Sequence, residues 1–183
     1  MFIYKNKYFL MIESIKDIDL KNIKKRNKFS IIYRNKKKLE NTTDLLNFRR
    51  FCKIKSIKFY VANNTKLAVL LNSDGLYLSA YNKSFRSLLL KKSNFEIIGS
   101  AHNLKEISLK SKQGCEMILF SKLFLVSYDK KATFLGVIRF NNYLKIFKNL
   151  IPLGGISINN LNNLNNINCQ GFALMSEVKK KAG

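Results

Sequence analysis

Short apolar segments recur along the chain at fairly even intervals, and stretches of mixed polar and apolar residues separate them. The apolar segments are rich in β-branched and aromatic residues, and they are continuous rather than alternating, which is typical of strands buried on both faces. We therefore predict eight strands, at Tyr8–Ile12, Phe29–Tyr33, Ile57–Ala62, Gly75–Leu78, Phe95–Gly99, Glu116–Phe120, Ile151–Gly154 and Gly171–Met175.

The stretches between these strands have the composition of helices or tight turns. The predicted helices are Asp17–Arg26, Thr43–Cys52, Thr65–Leu71, Lys83–Lys92, Leu104–Lys112, Ile138–Leu150 and Asn159–Ile167. The segment Asn159–Asn168 looks repetitive, but Leu161, Leu164 and Ile167 recur at every third position and form a narrow apolar stripe. We interpret it as a helix docked on the sheet rather than as a disordered tract.

Strands that alternate with helices indicate a parallel sheet with right-handed crossovers. Eight such units predict an α/β fold, a single compact (βα)8 TIM barrel that forms one domain over residues 1–183. Only eight residues follow Met175, so we expect the last helix to be truncated. An open six-stranded sheet is the alternative, if the two weakest strands are wrong.

The chain carries 34 Lys and Arg against 11 Asp and Glu, a net charge of +23. Such a balance is compatible with nucleic acid, an anionic membrane surface or phosphorylated ligands. The basic residues are spread along the whole chain, however, and do not gather on one helix or interleave with aromatics as in nucleic-acid modules. This spread favours a general compositional bias, and we do not expect nucleic-acid binding.

The remaining composition bears on location. Cys52, Cys115 and Cys169 are scattered without CxxC spacing, and their odd number argues against a disulfide framework. Apolar runs end well short of the ~18 residues that a membrane helix needs. Met1–Lys7 carries charge, but no apolar export segment follows it. We expect a cytoplasmic protein with no membrane partner; the oligomeric state is left open.

Two glycine-containing strand ends near the C-terminus are candidates for a phosphate site. Gly154 and Gly155 follow one predicted strand, and Ser176 follows the next. In barrels, the loops after strands seven and eight often bind phosphate through backbone N–H groups and a short helix N-terminus. The structural alternative is a Gly-Gly turn followed by an ordinary Ser N-cap.

Four segments in this order resemble one known family. Ile151–Ser176 is similar to a phosphate-binding end with a GGI turn and a later V-S step. Asn63–Leu78 resembles a stretch ending in LALALGADGVHL, Ile98–Glu106 resembles G-x-S-x-H, and Ile32–Lys36 (IYRNK) lies where that family has Q-L-R-E-K. The family is that of the thiamine phosphate synthases and their thiazole tautomerase (TenI) relatives.

The resemblance implies a ligand-binding site and, in the synthases, Mg²⁺ held by two Asp residues. Asn63 and Asn82 occupy these metal positions here, and a neutral amide oxygen is a weaker Mg²⁺ ligand than a carboxylate. Mg²⁺ is therefore an expected cofactor with a weakened site. Ile32 stands where the family has a pyrimidine-contacting Gln. The residues that the resemblance assigns to substrate or phosphate binding are Arg34, Lys36, Asn63, Ser100, Ser127, Lys130, Gly154, Gly155 and Ser176.

Two residues are candidates for catalysis. Arg34 would hold a diphosphate as a bidentate fork, with a solvated basic loop as its structural alternative. Lys122 aligns with the His that moves the proton in the tautomerase branch, and it would act as a base only with a pKa lowered from ~10.4. His102 is the one histidine, and we favour a helix-capping role for it over a catalytic one. Asp74 is expected to cap the turn before the fourth strand.

The resemblance implies a divergent thiamine phosphate synthase, which joins a pyrimidine methyl diphosphate to a thiazole phosphate in thiamine biosynthesis. Two alternatives remain open: a metal-independent isomerase of the thiazole tautomerase type, and a non-catalytic barrel that binds a phosphorylated ligand. In each of the three, the partner is a small phosphorylated molecule.

Overall fold

The computed structural model describes residues 7–23, 28–35, 40–90, 95–126, 129 and 131–175. Within these residues eight parallel strands close into a barrel in chain order. The strands are β1 Lys7–Ile12, β2 Phe29–Tyr33, β3 Lys58–Ala62, β4 Gly75–Leu78, β5 Glu96–Ala101, β6 Met117–Ser121, β7 Leu150–Leu153 and β8 Gly171–Leu174. Closure comes from the pairing of β1 with β8, with Lys7 opposite Gly171. The predicted TIM barrel is confirmed, and the open six-stranded alternative is excluded.

In the part of the chain that the structure describes, four α-helices lie among the connections of the barrel: α1 Thr42–Ile54, α2 Thr65–Leu70, α3 Leu104–Lys112 and α4 Gly136–Ile146. Asparagine side chains begin three of them, because Asn41, Asn64 and Asn103 each accept a hydrogen bond from a backbone N–H of the first turn. The structure tests the prediction for the first helix of the barrel but not the prediction for the truncated last helix. Residues 15–22 form short turns instead of a long helix, and the truncated helix after Met175 lies outside the described residues.

Two predicted helices are wrong in type. In residues 17–23, the described part of the range predicted as Asp17–Arg26, the chain forms short 3₁₀ turns, Ile15–Asp17 and Leu20–Asn22, because Ser14 and Asp19 each cap a new turn and Ile18 between them is extended. The range predicted as Lys83–Lys92 contains the 3₁₀ helix Arg86–Leu90. Ahead of it, the backbone carbonyl of Ser84 accepts a hydrogen bond from Gln113, which takes that carbonyl out of any helical ladder.

The repetitive segment folds as a 3₁₀ helix, Ile158–Asn166, rather than as an α-helix. Side chains three residues apart line up in a 3₁₀ helix. The threefold spacing of Leu161, Leu164 and Ile167 therefore fits this geometry better than the α-helical period. Leu164 and Ile167 are buried and Leu161 packs partly against the core, so the predicted docking is confirmed.

Apolar side chains fill both faces of the strands. The inner cluster inside the barrel consists of Phe9, Met11, Ile32, Tyr60, Tyr77, Ile98, Met117, Leu119, Ile151 and Ala173. A larger outer cluster lies between the strands and the surrounding helices and turns. The three cysteines are free, and none of the helices in the described ranges has the length and hydrophobicity needed to cross a bilayer.

Charged groups meet at the end of the barrel where the strands begin, which we call the floor. The carboxylate of Glu96 at the start of β5 accepts hydrogen bonds from Lys58 and, at 2.5 Å, from the hydroxyl of Tyr60. Both residues belong to β3. Asp74 also lies near a strand start, where it accepts hydrogen bonds from Arg49 at 3.0 Å and from the backbone of Phe59 at 2.7 Å. This agrees with the structural role predicted for Asp74.

Candidate functional site

The described candidate residues lie at the opposite end of the barrel, where the strands finish, which we call the mouth. Most of these residues lie at or just after the end of a strand. Ser100 is the next-to-last residue of β5, and the residues that follow a strand are Arg34 after β2, Asn63 after β3 and Lys122 after β6. Asn82 lies beyond β4, and Gly154 and Gly155 follow β7. Barrel enzymes build their active sites at this end. Four further candidates, Lys36, Ser127, Lys130 and Ser176, lie outside the described residues.

One group of polar residues at the mouth comes from β2, β4 and β5. Ser100 is 5% exposed and its side chain acts on the hydroxyl of Tyr77, which projects into the barrel from β4. The backbone N–H of Arg34 donates to the carbonyl of Ile12 at 2.8 Å. Burial raises the pKa of Tyr77, while the Ser100 hydroxyl and the charge of Arg34 oppose that rise. Arg34, Tyr77 and Ser100 therefore form one group, with a neutral phenol at its centre.

A second group lies at the ends of β6 and β7; Lys122 after β6 is four strands from Arg34 after β2, whereas β6 is the direct neighbour of β5. Gly154 and Gly155 have positive φ values of 92° and 68°. A side chain on Gly155 would meet the carbonyl oxygen of Phe124 at 2.4 Å, so only glycine fits this close approach. Backbone hydrogen bonds from Leu123 to Leu153 and from Phe124 to Gly154 fix the turn against the loop after β6.

Lys122 lies directly against this glycine turn. A Cβ on Gly154 would be 3.2 Å from the Cα of Lys122, so the two backbones are in contact. The ammonium of Lys122 is 3.6 Å from the carboxylate of Asp129, and its side chain is 27% exposed. The glycine turn thus packs against the loop after β6, and Lys122 brings a positive charge beside it that could attract an anion.

A third group joins Asn63 and Asn82, the two positions that the family resemblance assigns to metal. The side-chain oxygen of Asn63 accepts hydrogen bonds from the backbone N–H of Ser79 and from the side-chain amide of Asn82, each at 3.0 Å. The side-chain oxygen of Asn82 accepts the backbone N–H of Ser84 at 2.9 Å. These two engaged, uncharged oxygens do not fit the requirements of Mg²⁺. Among the described residues, no cluster of three or more His, Cys, Asp or Glu side chains is arranged to hold a metal ion.

His102 belongs to the start of α3 rather than to these groups. Its backbone N–H donates to Glu106 at 2.7 Å, and its ring Nδ1 lies 3.0 Å from the same carboxylate oxygen. Asn103 caps the helix by accepting the backbone N–H of Glu106. The cap of α3 is therefore Asn103 and not His102, whose predicted capping role is replaced by its contacts with the Glu106 carboxylate.

The thiamine monophosphate synthase family model matches residues 15–178, which is most of the chain. The chain belongs to this family. The thiamine-phosphate synthase of Prochlorococcus marinus (strain AS9601) is 26% identical over 144 residues, which cover 76% of this chain and 40% of that protein. The chain thus spans about two fifths of the length of this curated relative.

Solved structures resemble the chain over nearly its whole length. The thiamine phosphate pyrophosphorylase from Pyrococcus furiosus matches with a TM-score of 0.70 at 18% identity, covering 97% of this chain and 91% of that one. The 3-keto-L-gulonate-6-phosphate decarboxylase from Vibrio cholerae matches with a TM-score of 0.62 at 10% identity, covering 98% and 94%. At these identities the likeness shows the shared barrel fold.

Two features of this thiamine monophosphate synthase family member were not assigned to the site from the sequence. Tyr77 stands where the similar family stretch has the His of DGVHL, and that replacement was a signal that the strand carries a site residue. Lys110 and Gln113 at the end of α3 are fully buried and hold the backbone of Asn82. The spacing of Lys110 from buried Ile107 places it on the inner face of α3, which was the available signal.

Proposed function

We propose that this chain is a divergent thiamine phosphate synthase-like enzyme that joins a pyrimidine methyl diphosphate to a thiazole phosphate. Family membership supports the coarser statement that its ligands are small phosphorylated molecules. The observation that carries the finer one is that two separate basic positions lie four strands apart around one mouth, one after β2 and one after β6. Arg34 belongs to the first, and Lys122 with Gly154 and Gly155 to the second. A reaction between two phosphorylated substrates needs two such positions.

In this proposal the diphosphate binds at Arg34, whose guanidinium offers two parallel donors to adjacent phosphate oxygens. Lys36 and Asn63 remain predicted contacts for the same group. The pyrimidine faces Ser100 and Tyr77. The thiazole phosphate binds at Gly154, Gly155 and Lys122, with Ser127, Lys130 and Ser176 as further predicted contacts.

The proposed reaction exchanges one bond at the pyrimidine methylene carbon. The bond from this carbon to the diphosphate oxygen breaks, and its electron pair leaves with the diphosphate. The thiazole nitrogen then supplies the electron pair of the new C–N bond, so no proton is transferred. Arg34 stabilises the charge that develops on the leaving diphosphate, and the apolar interior around Ile32 and Ile98 keeps water from the cation-like carbon.

Two observations favour a second candidate, which is a metal-independent isomerase or a non-catalytic binder. Ile32, which is fully buried, replaces the Gln that would contact a pyrimidine. Asn63 and Asn82 bind each other in place of a carboxylate pair. In the isomerase, Lys122 would transfer the proton; in the binder, the glycine turn would hold a phosphate without turnover.

Incubation of the purified protein with both thiamine precursors, over graded Mg²⁺ and with a chelator, tests the proposal by mass spectrometry. Thiamine phosphate should form, and Arg34→Ala should reduce its formation at least about tenfold by removing a charge-assisted contact to the diphosphate. Arg50→Ala, an exposed arginine on α1, is the matched control and should leave the rate unchanged.

The remaining outcomes separate the candidates. Conversion of a thiazole phosphate alone, lost in Lys122→Ala while phosphate binding persists, would establish the isomerase. Saturable thiazole phosphate binding without turnover, beside an active control synthase, would establish the binder. Either result would replace the synthase proposal.

A further inference from the structure

The Asn63–Asn82 pair has a hydrogen-bonding arrangement that fixes the orientation of both amides. Asn63 has a left-handed backbone with φ 56°, and its side-chain oxygen faces two donors, the backbone N–H of Ser79 and the amide of Asn82. The oxygen of Asn82 faces the backbone N–H of Ser84. A backbone N–H can only donate, so rotating either amide by 180° would place N–H against N–H. Each amide therefore has one allowed orientation.

In that orientation the NH₂ group of Asn82 lies 3.0 Å from the oxygen of Asn63 and bridges the two side chains. Carboxylates at both positions would bring two like charges to the same separation, which is strongly unfavourable without a bridging cation or proton. An amide N–H carries the partial positive charge that such a bridge requires. In this protein the amide that forms the bridge belongs to Asn82 itself.

The surroundings of Asn82 also disfavour a cation. Its backbone carbonyl, the other oxygen that it could offer to a metal, accepts hydrogen bonds from the Lys110 ammonium at 2.7 Å and from Gln113 at 3.0 Å. Lys110 is fully buried, so its charge is only weakly screened and acts directly on this segment. Both oxygens of Asn82 are therefore engaged, and a fixed positive charge lies beside one of them.

We propose that the side-chain amide of Asn82 replaces the divalent cation, so that residues 63 and 82 form an internally bridged, metal-free pair. The proposal concerns ion binding and does not depend on the activity of the protein. It accounts for the amide at position 82, because an Asp there would place its charge against the side-chain oxygen of Asn63 with neither an N–H nor a cation between them.

Direct binding of Mn²⁺, used as a spectroscopic substitute for Mg²⁺, tests the proposal. We expect the purified protein to leave the electron paramagnetic resonance signal of aqueous Mn²⁺ undiminished. The Asn63→Asp/Asn82→Asp variant should bind one Mn²⁺ per chain and lose that ion to a chelator. Asn47→Asp/Asn142→Asp, which makes the same charge change at exposed sites on α1 and α4, should behave like the original protein.

Thermal unfolding provides the second measurement and verifies that each variant folds. Millimolar Mg²⁺ should raise the Tm of the double-Asp variant relative to the same variant in chelator, and should not change the Tm of the original protein. Binding of one Mn²⁺ by the original protein, abolished by Asn63→Ala, would overturn the proposal. Failure of the folded double-Asp variant to bind Mn²⁺ would overturn it as well, because the amide would then not stand where a cation fits. Should the double-Asp variant fail to fold, an Mg²⁺-induced rise in the Tm of the original protein that Asn63→Ala removes would decide against the proposal, and an unchanged Tm would support it.

Discussion

Tyr77 is a buried polar side chain in an interior that is otherwise mostly apolar. It is 1% exposed, and its neighbours in the inner cluster include Ile32 and Ile98. A buried hydroxyl is costly unless it is hydrogen-bonded, and Ser100 is the polar side chain that acts on the Tyr77 hydroxyl. Because burial raises the pKa of Tyr77, the phenol is neutral at physiological pH. The pair therefore adds polar groups to the interior of the barrel without adding charge.

The action of the Ser100 side chain on the Tyr77 hydroxyl predicts an energetic coupling between the two residues. In a cycle of Tyr77→Phe, Ser100→Ala and the double variant, urea unfolding should give a coupling of about 0.5–1.5 kcal/mol, the net contribution of a typical hydrogen bond. Tyr143→Phe, on α4, combined with Ser100→Ala is the matched control and should be additive. Additivity of the Tyr77 cycle as well would show that the two residues are not coupled.

Replacing Gly155 with alanine should have a steric cost in addition to the cost of a left-handed backbone. The same replacement at Gly136 measures the backbone cost alone. Both have positive φ, 68° and 70°, but a Cβ on Gly155 would meet the Phe124 carbonyl oxygen at 2.4 Å, whereas a Cβ on Gly136 has nothing within 4 Å. Gly136→Ala should lower the free energy of unfolding by roughly 1–2 kcal/mol, the cost of a left-handed alanine. Gly155→Ala should cost clearly more, as measured by the same urea titration. Equal losses would mean that the turn relaxes away from the loop after β6.

At the scale of elements, strands and helices differ in how far the sequence determines them. Every observed strand overlaps a predicted one, because continuous apolar runs have few alternatives once the chain alternates. The connection before β5 has no such constraint. Its residues 82–84 are held by side chains of α3, and contacts between distant segments leave no periodic trace in the local sequence.

The same contrast holds for the candidate site. The positions of Arg34, Ser100 and Lys122 at the mouth follow from strand ends, which the sequence predicts. The hydrogen bonds between Asn63 and Asn82 depend on side-chain orientation, which it does not predict. The predicted substrate and metal roles of these residues stay predictions, and their orientation determines which of them are credible.

The hydrogen bond that Lys110 of α3 donates to the backbone carbonyl of Asn82 predicts that replacing this lysine lowers the stability of the protein. Lys110→Met removes the ammonium that donates to Asn82 and Gln113, and the free energy of unfolding should fall by about 1–3 kcal/mol. Lys112→Met changes an exposed lysine of the same helix and should stay within about 0.5 kcal/mol of the original. Equal effects of the two substitutions in chemical denaturation would contradict the stabilising role of the Lys110 hydrogen bonds.

At the scale of the whole molecule, the floor of the closed barrel pairs acidic with basic side chains. The floor joins β3 and β5 through Glu96, and the charge of Lys7 on β1 also acts on that carboxylate. Burial alone would raise the pKa of Glu96, but hydrogen bonds from Lys58 and Tyr60 and the charges of Lys58 and Lys7 outweigh it and lower the pKa. In a chain with a net charge of +23, this carboxylate is one of only 11 acidic side chains.

This lowered pKa predicts part of the acid sensitivity of the protein. Glu96 binds a proton more readily in the unfolded chain, so its contribution to stability is present above its ordinary pKa of 4.5 and is lost as pH falls through the lower folded value. Glu96→Gln should flatten the unfolding free energy over that acidic range. Glu116→Gln, an exposed glutamate nearby, should retain the slope. An unchanged slope in Glu96→Gln would show that Glu96 does not contribute to the acid sensitivity of the protein.

The hydrogen bond between Tyr60 and Glu96 also gives the barrel an optical signature. The chain has eight tyrosines and no tryptophan, so its ultraviolet emission comes from phenol rings alone. A phenol bonded to a carboxylate transfers its proton readily when excited and emits weakly. Opening of the floor frees the ring of Tyr60, and its emission brightens. Tyrosine emission should therefore follow the opening of the floor of the barrel without an attached dye.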